Sequence, residues 1–192
     1  MMNSHTRYVL LACGALFGLI LAAGAGAGDL NKLIEPCTEC HGKAGAGAEE
    51  MPNIGGFSTG YMRSTLTQYK NKQRPCLIMC EIVKDLSSDD INQIADYFSA
   101  QKFVRTAQKF DAGLAQKGKA LHDKHCEMCH TEGGTKANNS GILAGQKMPY
   151  LEEQFKFISE GKRHMPDMMM TNFRQIDKSK QAELINYYGS FK

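Results

Sequence analysis

The pattern Cys-x-x-Cys-His occurs twice in this chain, as Cys37-Thr38-Glu39-Cys40-His41 and as Cys126-Glu127-Met128-Cys129-His130. It reads as covalent haem attachment. Two thiols one helical turn apart can each add to a haem vinyl group, and the adjoining histidine then reaches the iron from the same side. Cys37, Cys40, Cys126 and Cys129 are therefore expected to carry two covalently bound haem c groups, with His41 and His130 as proximal iron ligands. A bare Cys-x-x-Cys also serves redox dithiols and zinc sites, but neither requires a histidine at the next position in both copies.

The motifs are 89 residues apart, and the same offset carries Gly56 onto Gly145, Tyr61 onto Tyr150, Leu66 onto Phe155 and Arg74 onto Arg163. A fixed offset of this kind marks a tandem duplication. Each half is predicted to hold a short helix bearing the haem cysteines, a Gly-rich loop, a second helix, a methionine-bearing loop and a closing helix. The spacing predicts helices over 59–71, 111–129 and 179–191. At Leu86-Ser87-Ser88-Asp89-Asp90 a capping serine meets Asp90 three residues on, and Ile91, Ile94, Ala95 and Phe98 then form an apolar face. Tyr97, Phe98, Tyr187 and Tyr188 are expected to pack on the haem-bearing helices. His122 and His125 are read as surface residues, with His125 close to the haem edge. Residues 99–109 lack the Gly and Ser of flexible linkers and read as an ordered crossing.

The N-terminus predicts export. A basic start at Arg7 leads into an apolar run from Tyr8 to about Ala23, then into Ala23-Gly24-Ala25-Gly26-Ala27-Gly28. This is the pattern of a signal peptide over 1–27, cleaved after Ala25 or Ala27. The apolar run also approaches the length of a membrane anchor, but the Ala-x-Ala site favours cleavage. Cys13 falls inside this segment. Processing would leave 165 residues with a net charge of +2, which implies no nucleic-acid partner and no membrane patch. The expected units are 28–100, a segment 101–110, and 111–192. The expected compartment is the periplasm, where free thiols tend to oxidise.

Eleven methionines supply candidates for the sixth iron position. A thioether opposite histidine completes the coordination of an electron carrier and raises its potential. Met79 is expected at the first haem, because it precedes Leu86-Ser87 and the closing helix by the usual interval. At the second haem Met165 sits in Arg163-His164-Met165-Pro166, whereas strict register pairs Met79 with Met168. Met165 is the first choice, Met168 the second, and His164 a third. Cys76 and Cys80 flank Met79. In an oxidising compartment they are expected to pair, with free thiols or a thiolate ligand as alternatives.

With these landmarks placed, the chain resembles the two-haem class I cytochromes c, and in particular the cytochrome subunit of flavocytochrome c sulfide dehydrogenase. The resemblance rests on residues 119–130, on Glu132-Gly133-Gly134, on Ile142-Leu143-Ala144-Gly145-Gln146 and on Pro149-Tyr150-Leu151. In the first half Ile78-Met79, Asp96-Tyr97-Phe98 and Lys109-Phe110-Asp111 are similar too. It implies an all-α fold of two tandem class I cytochrome c domains. It also implies an electron-transfer subunit without catalysis of its own. Such a subunit docks on an FAD-containing flavoprotein, with FAD on the partner only, and passes electrons to a soluble cytochrome or an oxidase. Cys76, Cys80 and the Met-rich second ligand loop depart from that family's pattern. A free dihaem carrier and, further off, a haem enzyme are the competing functions.

Overall fold

The computed structural model describes residues 27–48, 50–137 and 139–192. The segment read as a signal peptide, with Cys13, lies outside the described residues apart from its last position. The described residues form helices and turns, with no strand among them. No helix among them is long and apolar enough to cross a membrane.

The first half holds α1 (Ala27–His41), α2 (Thr59–Lys70), α3 (Met79–Val83) and α4 (Ser88–Ser99). The second half holds α5 (Ala112–His125), the short turn α6 (Thr131–Gly134), α7 (Met148–Ser159), α8 (Asp167–Phe173), a 3-10 turn at Lys178–Lys180 and α9 (Gln181–Gly189). The duplication is visible in these bounds, since α2 shifted by 89 residues lands on α7 at both ends. After the methionine loops the offset becomes 90, so that Ile94, Tyr97 and Phe98 of α4 answer to Leu184, Tyr187 and Tyr188 of α9. One extra residue has entered the second ligand loop.

Local chemistry accounts for the helix starts. Ser87 accepts from the Asp90 N–H at 3.1 Å while the Asp90 carboxylate accepts from the Ser87 N–H at 2.8 Å, a complete capping box. Ser58 and Asp111 cap α2 and α5 in the simpler way. In each half a glycine at positive φ, Gly56 (+76°) or Gly145 (+80°), turns the chain so that its N–H donates to the last turn of the closing helix, at Phe98 O or Tyr188 O.

Each half buries its own core. Ile34, Met62, Leu66, Val83, Ile94 and Phe98 gather in the first, and Leu151, Phe155, Ile158, Leu184, Ile185 and Tyr188 in the second. The closest helix pair is α5 against α9, with the small residue Gly118 at the crossing. The second haem helix differs from its expected course. It ends at His125, and residues 126–130 continue as turns, because the N–H groups of Cys126 and Glu127 both close on His122 O.

Residues 102–111 adopt no helix but are tied down along their length. Phe103 packs on the first core, Val104 O accepts from Asn53, and Gln108 bridges Gln146 O and the Met148 N–H. The halves are also joined directly. The Asn53 N–H donates to Gln146 Oε1, and Gln146 Nε2 donates to Asn53 O, both at 2.9 Å.

Candidate functional site

The two histidines of the motifs have equivalent settings. His41 Nδ1 lies 2.9 Å from Pro52 O and His130 Nδ1 lies 3.0 Å from Gly141 O, each carbonyl eleven residues downstream. A carbonyl can only accept, so Nδ1 carries the proton and Nε2 keeps its lone pair for a metal. Both rings are buried. Burial lowers the His130 pKa to about 4 and that of His41 in the same direction, against the smaller opposing effect of the carbonyl contact. Both imidazoles are therefore neutral at physiological pH, the form a metal takes. Burial also raises Cys37 to about 11 and lifts Cys126, so neither thiol ionises readily.

In the second half Cys126, Cys129 and His130 line a cavity of about 870 Å³. Its walls are apolar side chains of α7 and α9, including Leu151, Phe155, Ile158 and Leu184. Met165, Met168, Met169 and His164 close it from the ligand loop. These candidates are not equivalent. Met165 packs against the second core, whereas Met168 is 59% exposed and His164 is exposed as well. In the first half Met79 opens α3 and packs, like Cys37, against the first core. Cys76 and Cys80, on either side of it, are joined by a disulfide with Cα atoms 5.8 Å apart.

The cavity reaches the first half, since Tyr61, Ser64, Gln68 and Arg74 also line it. Here lies a group that the sequence marked only as repeat landmarks. Arg74 and Arg163 are both buried, and both donate to Gln154 Oε1, at 3.1 and 2.8 Å. Arg74 also donates to Tyr150 Oη at 2.7 Å and covers the Tyr69 ring, whose hydroxyl burial pushes up to about 12. Each Nε lacks a partner, and among the described residues neither guanidinium forms an ion pair with a carboxylate. Two buried cations without an anion are expensive. A haem suits this site, because it brings acidic propionates to the arginines, an iron to the His and Met donors, and an apolar ring to the walls. Two arginines in identical register, where a surface reading needs none, were the available signal.

One expectation is corrected. His122, read as a surface residue, is fully buried. It continues the Ala115-Gly118 stripe that α5 turns toward α9, and both ring nitrogens are bonded, Nε2 to Glu127 Oε2 at 2.7 Å and Nδ1 to Tyr188 Oη at 3.0 Å. His125 is half-buried and lines the cavity, which fits its expected place near the haem edge.

Comparison with known proteins agrees with this chemistry. Residues 113–184 match the family model described as cytochrome c oxidase, cbb3-type, subunit III. The chain is 31% identical over 174 residues to cytochrome c4 of Pseudomonas aeruginosa, covering 84% of each chain. It is 27% identical over 166 residues to the thiosulfate dehydrogenase electron acceptor of Thiomonas intermedia, covering 80% of this chain and 76% of that one. Among solved structures, cytochrome c4 of Acidithiobacillus ferrooxidans superposes with a TM-score of 0.72 at 26% identity, over 82% of this chain and 99% of that one. The two haem motifs, the tandem helical halves and these likenesses make one family assignment: the chain belongs to the class I dihaem cytochromes c, as a cytochrome c4-like electron carrier.

Proposed function

We propose that this chain is an exported periplasmic carrier that takes electrons from a dehydrogenase acting on reduced sulfur compounds. Its axial pairs are His41 with Met79 and His130 with Met165. The observation that carries the reading is the matched pair of buried neutral imidazoles, each with Nδ1 committed to a carbonyl and with thioethers available at the same core or cavity. When bound, each haem supplies a one-electron centre. Buried His41 and His130 and core-packed Met79 and Met165 would hold the two irons in nearly fixed surroundings, so little rearrangement would accompany electron gain or loss. The cavity at the second site reaches Tyr61 and Arg74 of the first half, and two haems in one chain would offer two one-electron acceptors to a two-electron donor.

Two donors are distinguished by experiment. The residues around the second motif support an FAD flavoprotein that oxidises sulfide, and the Thiomonas relative supports a thiosulfate dehydrogenase. The oxidised carrier is mixed with each purified dehydrogenase and its substrate, and haem reduction is followed by stopped-flow absorbance. Reduction in the sulfide arm establishes the flavocytochrome reading, and reduction in the thiosulfate arm replaces it. Reduction in neither removes the sulfur-compound donor altogether. Met79→Ala should keep both haems attached but lose one low-spin His/Met signature. An unchanged spectrum and potential would remove Met79 as the ligand.

A further inference from the structure

The buried His122 is paired on both ring nitrogens, lies beside the second haem attachment and has no counterpart in the first half. In register, His122, Glu127 and Tyr188 of the second half correspond to Leu33, Thr38 and Phe98 of the first. Duplication has left polar residues at three positions of the second copy, where the first carries apolar Leu33 and Phe98 and the uncharged Thr38. The contacts are continuous from solvent to cavity. Glu127 is partly exposed, its carboxylate accepts from His122 Nε2, and His122 Nδ1 meets the hydroxyl of Tyr188, a residue that lines the cavity together with Cys126.

We propose that His122, acting through Tyr188 and Glu127, is a positioning and proton-accepting residue for the second haem, so that electron gain at that haem is coupled to proton uptake and at the first haem is not. The inference rests on the assignment of the second site to a haem.

The hydrogen-bond directions give the mechanism. In neutral His122 the Nε2–H donates to the ionised Glu127, so Nδ1 accepts from the Tyr188 hydroxyl. A proton arriving at Nδ1 reverses the second bond. Nδ1–H then donates to the Tyr188 oxygen, and the freed phenolic hydrogen turns toward the cavity that Tyr188 and Cys126 both line. With a haem bound, an electron gained there would be matched by one proton taken up from solvent and relayed to Nδ1 through the Tyr188 hydroxyl, because Nε2 already carries the hydrogen held by Glu127, and the net charge of the site would be unchanged.

Other groups face His122 from each neighbouring element. On α5 Lys119 and Asp123 are already paired with each other. From α9 come Tyr187 and Tyr188, with ring centroids 5.3 and 5.6 Å away. Glu127 is held below the usual carboxylate range by the Gly133 N–H and by His122, so it stays a fixed anion as the proton arrives. It also accepts the Glu132 N–H, which anchors the left-handed turn that follows His130.

The test uses the dihaem protein, with haem content fixed first by mass. Absence of a second haem would remove the site assignment itself, independently of the coupling. Midpoint potentials of the two haems are then followed from pH 5 to 9 by spectroelectrochemistry, with the haems told apart by their paramagnetically shifted methyl resonances. The second potential is expected to fall with rising pH, by at most about 59 mV per unit, the one-electron equivalent of tenfold. In His122→Gln that slope should flatten, while the first haem keeps its wild-type profile. Tyr188→Phe, which installs the residue the first half carries, should flatten it too and serves if the glutamine variant fails to fold. A pH-independent second potential in the wild type, or the wild-type slope retained in either variant, would overturn the proposal and leave the propionates as the titrating groups.

Discussion

Replacing Gly118 by alanine opposes two effects of known sign. Gly118 lies inside α5, where helix propensity alone would make alanine more stable by about 1 kcal/mol. The structure gives the opposite answer. A Cβ at this position would stand 2.5 Å from the Glu183 carbonyl carbon, closer still to its oxygen, and 2.8 Å from the Tyr187 Cβ. Two of these atoms are backbone and the third is rooted to it, so none can swing aside and α5 must move off α9. Overpacking of this kind costs about 1–3 kcal/mol, and rigid backbone obstacles place it near the top of that range. Net destabilisation of about 2 kcal/mol follows, or a melting temperature lower by about 4–8 °C for a chain of this size. Gly60→Ala is the control, because the nearest atom to its added Cβ is Asn139 Oδ1 at 3.5 Å, ordinary contact. Thermal denaturation followed by circular dichroism should show Gly118→Ala falling and Gly60→Ala unchanged or slightly higher. An unchanged or raised melting temperature for Gly118→Ala would refute the close crossing of α5 and α9.

Gln146→Leu should cost about 2–6 kcal/mol in urea denaturation, because it strands the buried N–H and C=O of Asn53, at about 1–3 kcal/mol for each unpaired group. Ser87→Ala removes the capping box of α4 and should lower stability by about 1 kcal/mol in the same assay, with haem content unaffected. Acid should destabilise the fold through the motif histidines. The folded pKa of His130 is depressed to about 4 from an unfolded value near 6.5, so the unfolded chain binds the extra proton between these values and stability rises with pH across that window. Iron ligation can only deepen the depression. Denaturation midpoints that stay flat from pH 6.5 to 4 would contradict it.

The sequence carried the parts whose cause is local. The capping box at Ser87, the apolar face of α4 and the repeat offset rest on residues a few positions apart, or on a regular shift, and each can be read along the chain. What it hid depends on distant partners. His122 is polar by type, and its burial depends on Tyr188, sixty-six residues away, and on a crossing with α9 that a helix pattern does not contain. The Asn53–Gln146 pair spans 93 residues. The end of α5 was missed because the motif resembles a helical turn, while the double closure on His122 O stops the helix just before it. Arg74 and Arg163 stood in plain register, yet a buried arginine is unexpected until an acidic cofactor is placed beside it.

The contacts between the halves have a meaning for assembly. Arg74 of one half reaches Tyr150 of the other, and in register Arg163 answers to Arg74 and Tyr61 to Tyr150. All four residues line one cavity, so both copies of the repeated pair face the same space, as repeated positions do in an isologous dimer. A free dimer dissociates on dilution, whereas here residues 102–111 fasten the two copies together and hold them at an effective concentration that dilution cannot change. The association of the two halves is made permanent by the chain's own backbone. Freed from the need to match, its two copies could diverge, and His122, Glu127 and Tyr188 beside one motif opposite Leu33, Thr38 and Phe98 beside the other are that divergence.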